Sequence, residues 1–600
     1  MPGSAGDCRA LSGTVGDCRA LPGTVGLCRG LSGSAGDCRG LSGTVGDCRG
    51  LSPPASCMLE WLPMSDEAQN QARSRSMMRE SGKLSALTML SRVLGLLREI
   101  TRTTLLGTSA LGESFTVAFA TPNLFRRLLA EGVMSTALIP TMKTYFDGED
   151  EAETRTFLSA AFTALMFVTA AVVALGMAGS LYIALAYGLM KTDSAVVQNV
   201  SETSFLIRLM FPYLALVSAG AFLQGILNSR GSFVPSGIGP ILFNLSFLLV
   251  PPLLVYWVPN PARAMALGVL VGGVLQALCQ LPSVLKMGVR FGLVSLPRAF
   301  SHPGVKKVLL LMAPTLLGMA AYELNSVVST GLAYGVGAAV TLQISLRLQE
   351  LILGLFVVSI GTVMLPELSG LAARQDWQRF RQHFERSLEV VILVTLPIVV
   401  FSLMQRVNIV AVLFQGGEFD AAAVAETADI FLFHSLGLLF IALNRIITPA
   451  FYACADTKGP AWAGITAFVV NILLAWLFSL RFKGNGIALA LSVASLVNLV
   501  LLLVLLIRKP IGGLGPVFGR SLLYALRLLL ISAVAAVPTW FAGRWLQPRF
   551  AAFSSRLLFA GAPLVLTTVL YGGIGIFLLW VTRDRVAGYL VAVFSRKSHR

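Results

Sequence analysis

Residues 84–106 read LSALTMLSRVLGLLREITRTTLL, an apolar run that holds Arg92, Arg98 and Arg102. Roughly 20 apolar residues suffice to cross the ~30 Å hydrocarbon core of a bilayer. A central arginine costs roughly 2.5–3.5 kcal/mol on insertion scales. A chain that keeps such residues must face them to water, to an anion or to partner helices. On a regular helix Arg98 and Arg102 stand at i, i+4, and Arg92 projects about 80° away from Arg102, so the three form a basic sector. Gly95, between Arg92 and Arg98, permits a bend.

Composition extends this reading to the whole chain. The protein has 600 residues, is 55% hydrophobic and only 13% charged, and its mean hydropathy is +0.75. A soluble domain cannot hide that much apolar surface, so an all-α polytopic membrane protein is expected. A cleavable secretory signal is not expected, because the first residues offer no short apolar core. The net charge of +17 suits positive-inside loops better than nucleic acid, and no nucleic-acid partner is expected.

Residues 1–57 carry a decapeptide repeat around Gly6-Asp7-Cys8-Arg9, Gly16-Asp17-Cys18-Arg19, Gly26-Leu27-Cys28-Arg29, Gly36-Asp37-Cys38-Arg39 and Gly46-Asp47-Cys48-Arg49. Gly, Ser and Thr dominate, so a disordered Cys/Gly tail is expected. It could lie upstream of the true start, with Met58, Met64, Met77 and Met78 as candidate starts. From Leu84 onward, about fourteen apolar stretches are long enough to span. The second is interrupted by Arg126, Arg127 and Glu131. Lys and Arg concentrate in alternate loops, including Lys286, Arg290, Lys306, Lys307, Arg374, Arg379, Arg508 and Lys509. That bias places both termini in the cytoplasm.

The spans are also duplicated. Gln224-Gly225-Ile226-Leu227-Asn228 leads to Pro235 and Asn244, and Pro449-Ala450-Phe451-Tyr452-Ala453 leads to Pro460 and Asn471. Arg126 precedes Ser135-Thr136-Ala137-Leu138-Ile139-Pro140 as Arg347 precedes Gly361-Thr362-Val363-Met364-Leu365-Pro366. Both matches are offset by the same even number of spans. Parallel repeats are therefore expected: an N-lobe over 84–290, a C-lobe over 300–510, two further spans over 520–585 and a basic cytoplasmic tail over 586–600. The cavity should lie between two parallel six-helix lobes, with the two C-terminal helices outside the repeat.

Cations outnumber acids within the spans, and they fall in both lobes. A guanidinium fork donates paired hydrogen bonds to phosphate oxygens, so several around one cavity suit a diphosphate. This points to transport of a phosphorylated, lipid-linked substrate rather than a cationic drug. For any single arginine the plainer reading is snorkelling or pairing with a local acid such as Glu99, Glu113, Glu131 or Glu350. That reading is stronger for Arg102, Arg127 and Arg208. Glu323, mid-span, reads as a hydrogen-bonded structural residue or as a coupling site. Glu113, Glu131, Glu323, Glu350 and Arg445 are candidate coupling or cavity groups. GxSxG, HExxH and P-loop signatures are missing, so a transporter is expected rather than an enzyme, with no metal site.

Ser91-Arg92-Val93-Leu94-Gly95 with Arg98, and Pro122-Asn123-Leu124-Phe125-Arg126-Arg127-Leu128-Leu129-Ala130-Glu131-Gly132, resemble the MurJ/MviN family of lipid II flippases in the MOP transporter superfamily. Phe211-Pro212-Tyr213, Arg347-Leu348, Leu365-Pro366 and Asp456-Thr457-Lys458 continue the resemblance, which covers roughly Leu84 to Arg585. It implies fourteen spans around a cationic cavity, with a groove for the polyprenyl tail over 520–585. It implies movement of undecaprenyl-diphosphate-linked disaccharide-pentapeptide (lipid II) from the inner to the outer leaflet of the bacterial cytoplasmic membrane, for peptidoglycan synthesis. The family's essential arginines fall on Arg92, Arg98, Arg126 and Arg347. Other lipid-linked oligosaccharides, or a MOP-type exporter's cargo, are the alternative substrates. Leu346 departs from relatives that carry Asp there. A sodium site of some members uses acids in the seventh and eleventh spans, but the stretch Ala461–Leu480 offers Asn471 and no carboxylate. No cofactor is expected, and coupling to membrane potential or protons is expected over sodium. The expected partners are lipid II, membrane lipids and wall-synthesis proteins, and the chain is expected to be a monomer.

Overall fold

Hydrocarbon offers no water to backbone amides, so spanning segments must bond internally. The computed structural model meets this with helices. It describes residues 6–8, 26–29, 47–49, 66–148, 150–190, 199–509 and 511–598; the side chains of several helical stretches, Glu131 among them, lie outside the described residues. The chain forms two units, Met1–Ala86 and Leu87–Arg600.

In the first unit, strands Gly6–Cys8, Gly26–Arg29 and Asp47–Arg49 pair in parallel, with Cys28 opposite both Cys8 and Cys48. Composition predicted no order there. Backbone pairing needs no apolar core, and a spacing of two decapeptides puts like residues in register. The rest of the repeat lies outside the described residues.

The second unit is built from helices. Helix α1 covers Asp66–Leu106, its portion from Leu87 lying in this unit. α2 covers Ala110–Phe125 and is capped by Ser109, whose side chain accepts the Gly112 N–H. Pro122 lacks a donor inside α2, and from Arg126 to Leu138 the chain continues as a π-helix. Five more helices position the site: α3, Val234–Leu254; α4, Pro303–Gly335; α5, Ala339–Ala373; α6, Ala421–Ala453; and α7, Lys458–Ile507. Among the described residues, nine helices are long and apolar enough to cross a membrane. α7 has 50 residues, about 75 Å at 1.5 Å per residue, far more than one crossing needs. It breaks at Lys483, whose φ of 49° is left-handed.

Packing separates along the chain. One apolar core is drawn from residues between Leu106 and Val308, and another from Leu353 to Val517. A third joins Val117 and Tyr187 to residues between Leu332 and Ala490. Two asparagines occupy matching places. Asn244 on α3 donates to the Ser91 carbonyl of α1 at 3.0 Å, and Asn471 on α7 donates to Asn325 of α4 at 2.6 Å. Each is a buried amide that ties two helices.

Candidate functional site

Two adjoining cavities of about 70 and 110 Å³ share Arg127, Ser326, Gln343 and Arg347 in their walls. The first is walled from both halves of the chain: Arg98, Glu99 and Arg102 from α1, Phe115 to Leu124 from α2, Phe247 from α3, Glu323 from α4 and Arg347 from α5. The second runs into the later half and adds Asn325, Ser329, Glu350 and His434. A basic, polar chamber between the two halves is therefore present, as the distribution of arginines suggested.

The arginines differ in what they touch. Arg98 donates to the Asn244 carbonyl oxygen at 3.2 Å, and its guanidinium lies 5.4 Å from the Phe247 ring centre. Both of these partners are neutral, and the carboxylate of neighbouring Glu99, which bonds Arg102, acts on Arg98 only through its charge. Arg347 bonds Glu350 at 2.8 Å across one helical turn, and both side chains are substantially exposed. Arg102 is buried against Glu99 and also donates to the Thr116 hydroxyl at 2.8 Å. This is the structural role that its sequence position suggested.

Arg92 and Arg126 are placed differently from expectation. Arg92 donates to the Gly354 carbonyl at 3.2 Å, tying α1 to α5, and Arg126 donates to Asn123 at 2.8 Å. Neither lines the two cavities. Arg127 does line both, and it bonds Glu323 at 3.0 Å across the halves. The sequence reading favoured snorkelling or a local acid partner for Arg127, whereas its partner is a distant acid. The available signal was Glu323, a lone acid in an apolar run that needed a cation.

Among the candidate polar groups, Glu323 and Glu350 line the chamber as partners of Arg127 and Arg347. Arg445 is exposed and away from it. The side chain of Glu131 lies outside the described residues. Glu113 acts away from the chamber, where its carboxylate accepts the Ala339 and Val340 N–H groups at 2.8 and 2.9 Å. These are orphan donors at the start of α5, where Ala338 supplies no side-chain cap. A carboxylate from one half thus caps a helix of the other. Nearby, Glu418 N–H bonds the Thr104 carbonyl at 3.0 Å. Gly107 and Gly417 have φ of 54° and 59°, and a Cβ on either would collide with the opposite backbone. The halves are pinned backbone to backbone at this end.

A second anchor lies in the turn between α6 and α7. Asp456 accepts the Lys458 and Gly459 N–H groups at 2.9 and 3.0 Å and pairs with Lys509 at 2.5 Å. The Lys509 ammonium, and then the Gly459 N–H, hold its carboxyl below the ordinary value. A depressed carboxyl stabilises the fold above its unfolded pKa, about 3.9, and that contribution fades as pH falls through the lower folded value. Asp456→Asn is therefore expected to lower the melting temperature slightly at pH 7 and to flatten its fall between pH 5 and 3. Thermal melts of both proteins across that range check this.

A family model described as lipid II flippase MurJ matches residues 103–560. A probable lipid II flippase MurJ of Treponema pallidum is 41% identical over 524 residues, covering 86% of this chain and 98% of that one. The lipid II flippase MurJ of Burkholderia cenocepacia is 32% identical over 527 residues, with the same coverage of 86% and 98%. Among solved structures, a lipid II flippase MurJ in an inward closed conformation aligns with TM-score 0.65 and 22% identity, covering 84% of this chain and 99% of that one. An inward-facing MATE transporter of the MOP superfamily aligns with TM-score 0.57 and 14% identity, covering 70% and 96%. At those identities the two structures speak for the fold. With the sequence matches and the arginine-lined chamber between the halves, the chain belongs to the MurJ family of lipid II flippases.

Proposed function

We propose that this chain carries undecaprenyl-diphosphate-linked disaccharide-pentapeptide from the inner to the outer leaflet of the bacterial cytoplasmic membrane by alternating access. The observation that carries this reading is the chamber walled by Arg98 and Arg127 from the first half and Arg347 from the second. Guanidinium groups on two sides can hold a diphosphate through paired hydrogen bonds. Arg92 and Arg126, which line neither cavity, are proposed as further contacts for the anion as it enters, outside the chamber that carries it across.

The finer architecture is part of the proposal. About fourteen spans follow if α7 crosses twice at its break and α1, α2 with its π-helical continuation, α4 and α5 each cross once beside the nine apolar helices. The matched Asn244 and Asn471 bonds support two parallel lobes of equal span number. Loop charges put both termini inside, so the Glu113 cap and the Thr104–Glu418 contact close the outer end. The helices Leu514–Phe550 and Ala562–Val581 are richly exposed in apolar side chains, including Leu523, Leu530, Val565 and Ile576. Such a surface suits the polyprenyl tail. No cofactor is invoked, and membrane potential or protons supply the drive. The chain acts as a monomer alongside wall-synthesis proteins.

Replacement of the resident flippase in a depletion strain tests the reading. Growth and lipid II on the outer surface are expected to return with this chain. Growth without outward lipid II, or rescue only of a different lipid-linked oligosaccharide, contradicts it.

A further inference from the structure

The walls of the two cavities are not simply basic. Among the described residues they hold Arg98, Arg102, Arg127 and Arg347 against Glu99, Glu323 and Glu350. Four cations less three anions leave one positive charge. His434, the other titratable side chain of the second cavity, is buried, bonds the Ser345 hydroxyl at 2.6 Å and is taken as neutral. Each acid sits on its own arginine: Glu99 on Arg102, Glu323 on Arg127, Glu350 on Arg347. Only the Arg102 pair is fully buried; the other two open onto the chamber.

Resting on the substrate reading above, we infer that these three carboxylates set the sign of the charge that crosses the membrane, so that an inside-negative potential favours both halves of the cycle. A diphosphate diester carries a negative charge on each phosphate, about two in all at neutral pH. Seated in the chamber, it turns a net charge of plus one into minus one. The loaded site then moves outward with the field. After release, Glu323 and Glu350 stay on Arg127 and Arg347, the site is again plus one, and it returns inward with the field. Four arginines without these acids would stay positive when loaded, and the outward step would run against the potential. The same acids make Arg127 and Arg347 exchangeable ligands. The diphosphate takes them over from carboxylates that lie within the same chamber, rather than from water.

The test uses the full chain in liposomes, cytoplasmic face inward, with a potassium diffusion potential. The probe is a lipid II analogue with a diphosphate diester and a neutral peptide bearing a fluorophore. One charge across 100 mV is worth about fiftyfold in equilibrium, and about sevenfold in rate with the barrier midway. Wild type is expected to move the probe outward about sevenfold faster at 100 mV inside-negative than at zero. Glu323→Gln with Glu350→Gln leaves the loaded site positive, and its outward rate is expected to fall about sevenfold under the same potential. If that pair of changes prevents folding, Glu350→Gln alone, on the exposed pair, is expected to make the outward rate insensitive to potential. A merely structural role would lower the rates alike at both potentials. Variants that keep the wild-type potential dependence overturn the inference. A wild-type chain that moves no probe at either potential overturns the substrate reading beneath it.

Discussion

Arg347→Ala is expected to abolish lipid II flipping while leaving the fold intact. Arg347 borders both cavities and stands in the later half of the chain, opposite Arg98 and Arg127. Its bond to Glu350 is exposed and within one helical turn, so its loss costs the fold little. A charge-assisted hydrogen bond to a phosphate contributes about 1.5–3 kcal/mol, and a fork makes two of them. Affinity for the diphosphate should therefore fall at least tenfold, and turnover with it. Arg347→Lys keeps the charge and loses the fork, so it should recover only part of the activity. Outward lipid II at matched expression, with thermal melting as the control for folding, measures both effects. Normal flipping by the alanine variant would contradict the assignment of Arg347.

Glu113→Ala is expected to unpin the end of the molecule where the halves meet. The carboxylate is buried and satisfies two backbone N–H groups at the start of α5. Its removal takes away a helix cap, worth about 0.5–2 kcal/mol. It also leaves buried donors unsatisfied, at about 1–3 kcal/mol each. A shift of about 2–4 kcal/mol moves a conformational equilibrium by roughly thirtyfold to a thousandfold. Spin labels at Ala110 and Ala421, both exposed, should report a longer distance in the variant. Glu113→Gln keeps one acceptor oxygen and should fall between the two. An unchanged distance distribution in Glu113→Ala would remove the cap from the gating account.

Much of this was legible in the sequence. The arginines at 92, 98 and 126 and the paired Pro–Asn blocks pointed to a membrane carrier with a basic chamber. The family resemblance named its cargo class. What could not be read was which arginine meets which acid. Arg127 and Glu323 are 196 residues apart, and no helical spacing rule reaches that far. Arg127 is also the second residue of a π-helix, a geometry that composition and spacing do not announce. Glu113 looked like a local counter-ion. Its role needs the position of Ala339, 226 residues away. Arg92 was legible as an in-span cation, but its carbonyl partner Gly354 comes from a helix of the other half. Periodicity could place each residue on a helix, whereas partnership across the halves is a property of the packed structure.

In the proposed cycle a diphosphate crosses the membrane in a chamber gripped by arginines from both halves. The most direct measurement is the rate at which lipid II becomes accessible on the outer surface of cells that have this chain as their sole flippase. Wild type is expected to keep that rate at the level of the resident flippase, and Arg98→Ala combined with Arg347→Ala to reduce it to the depleted background with the protein folded and present. Outward lipid II at the wild-type rate in the double variant would contradict the account.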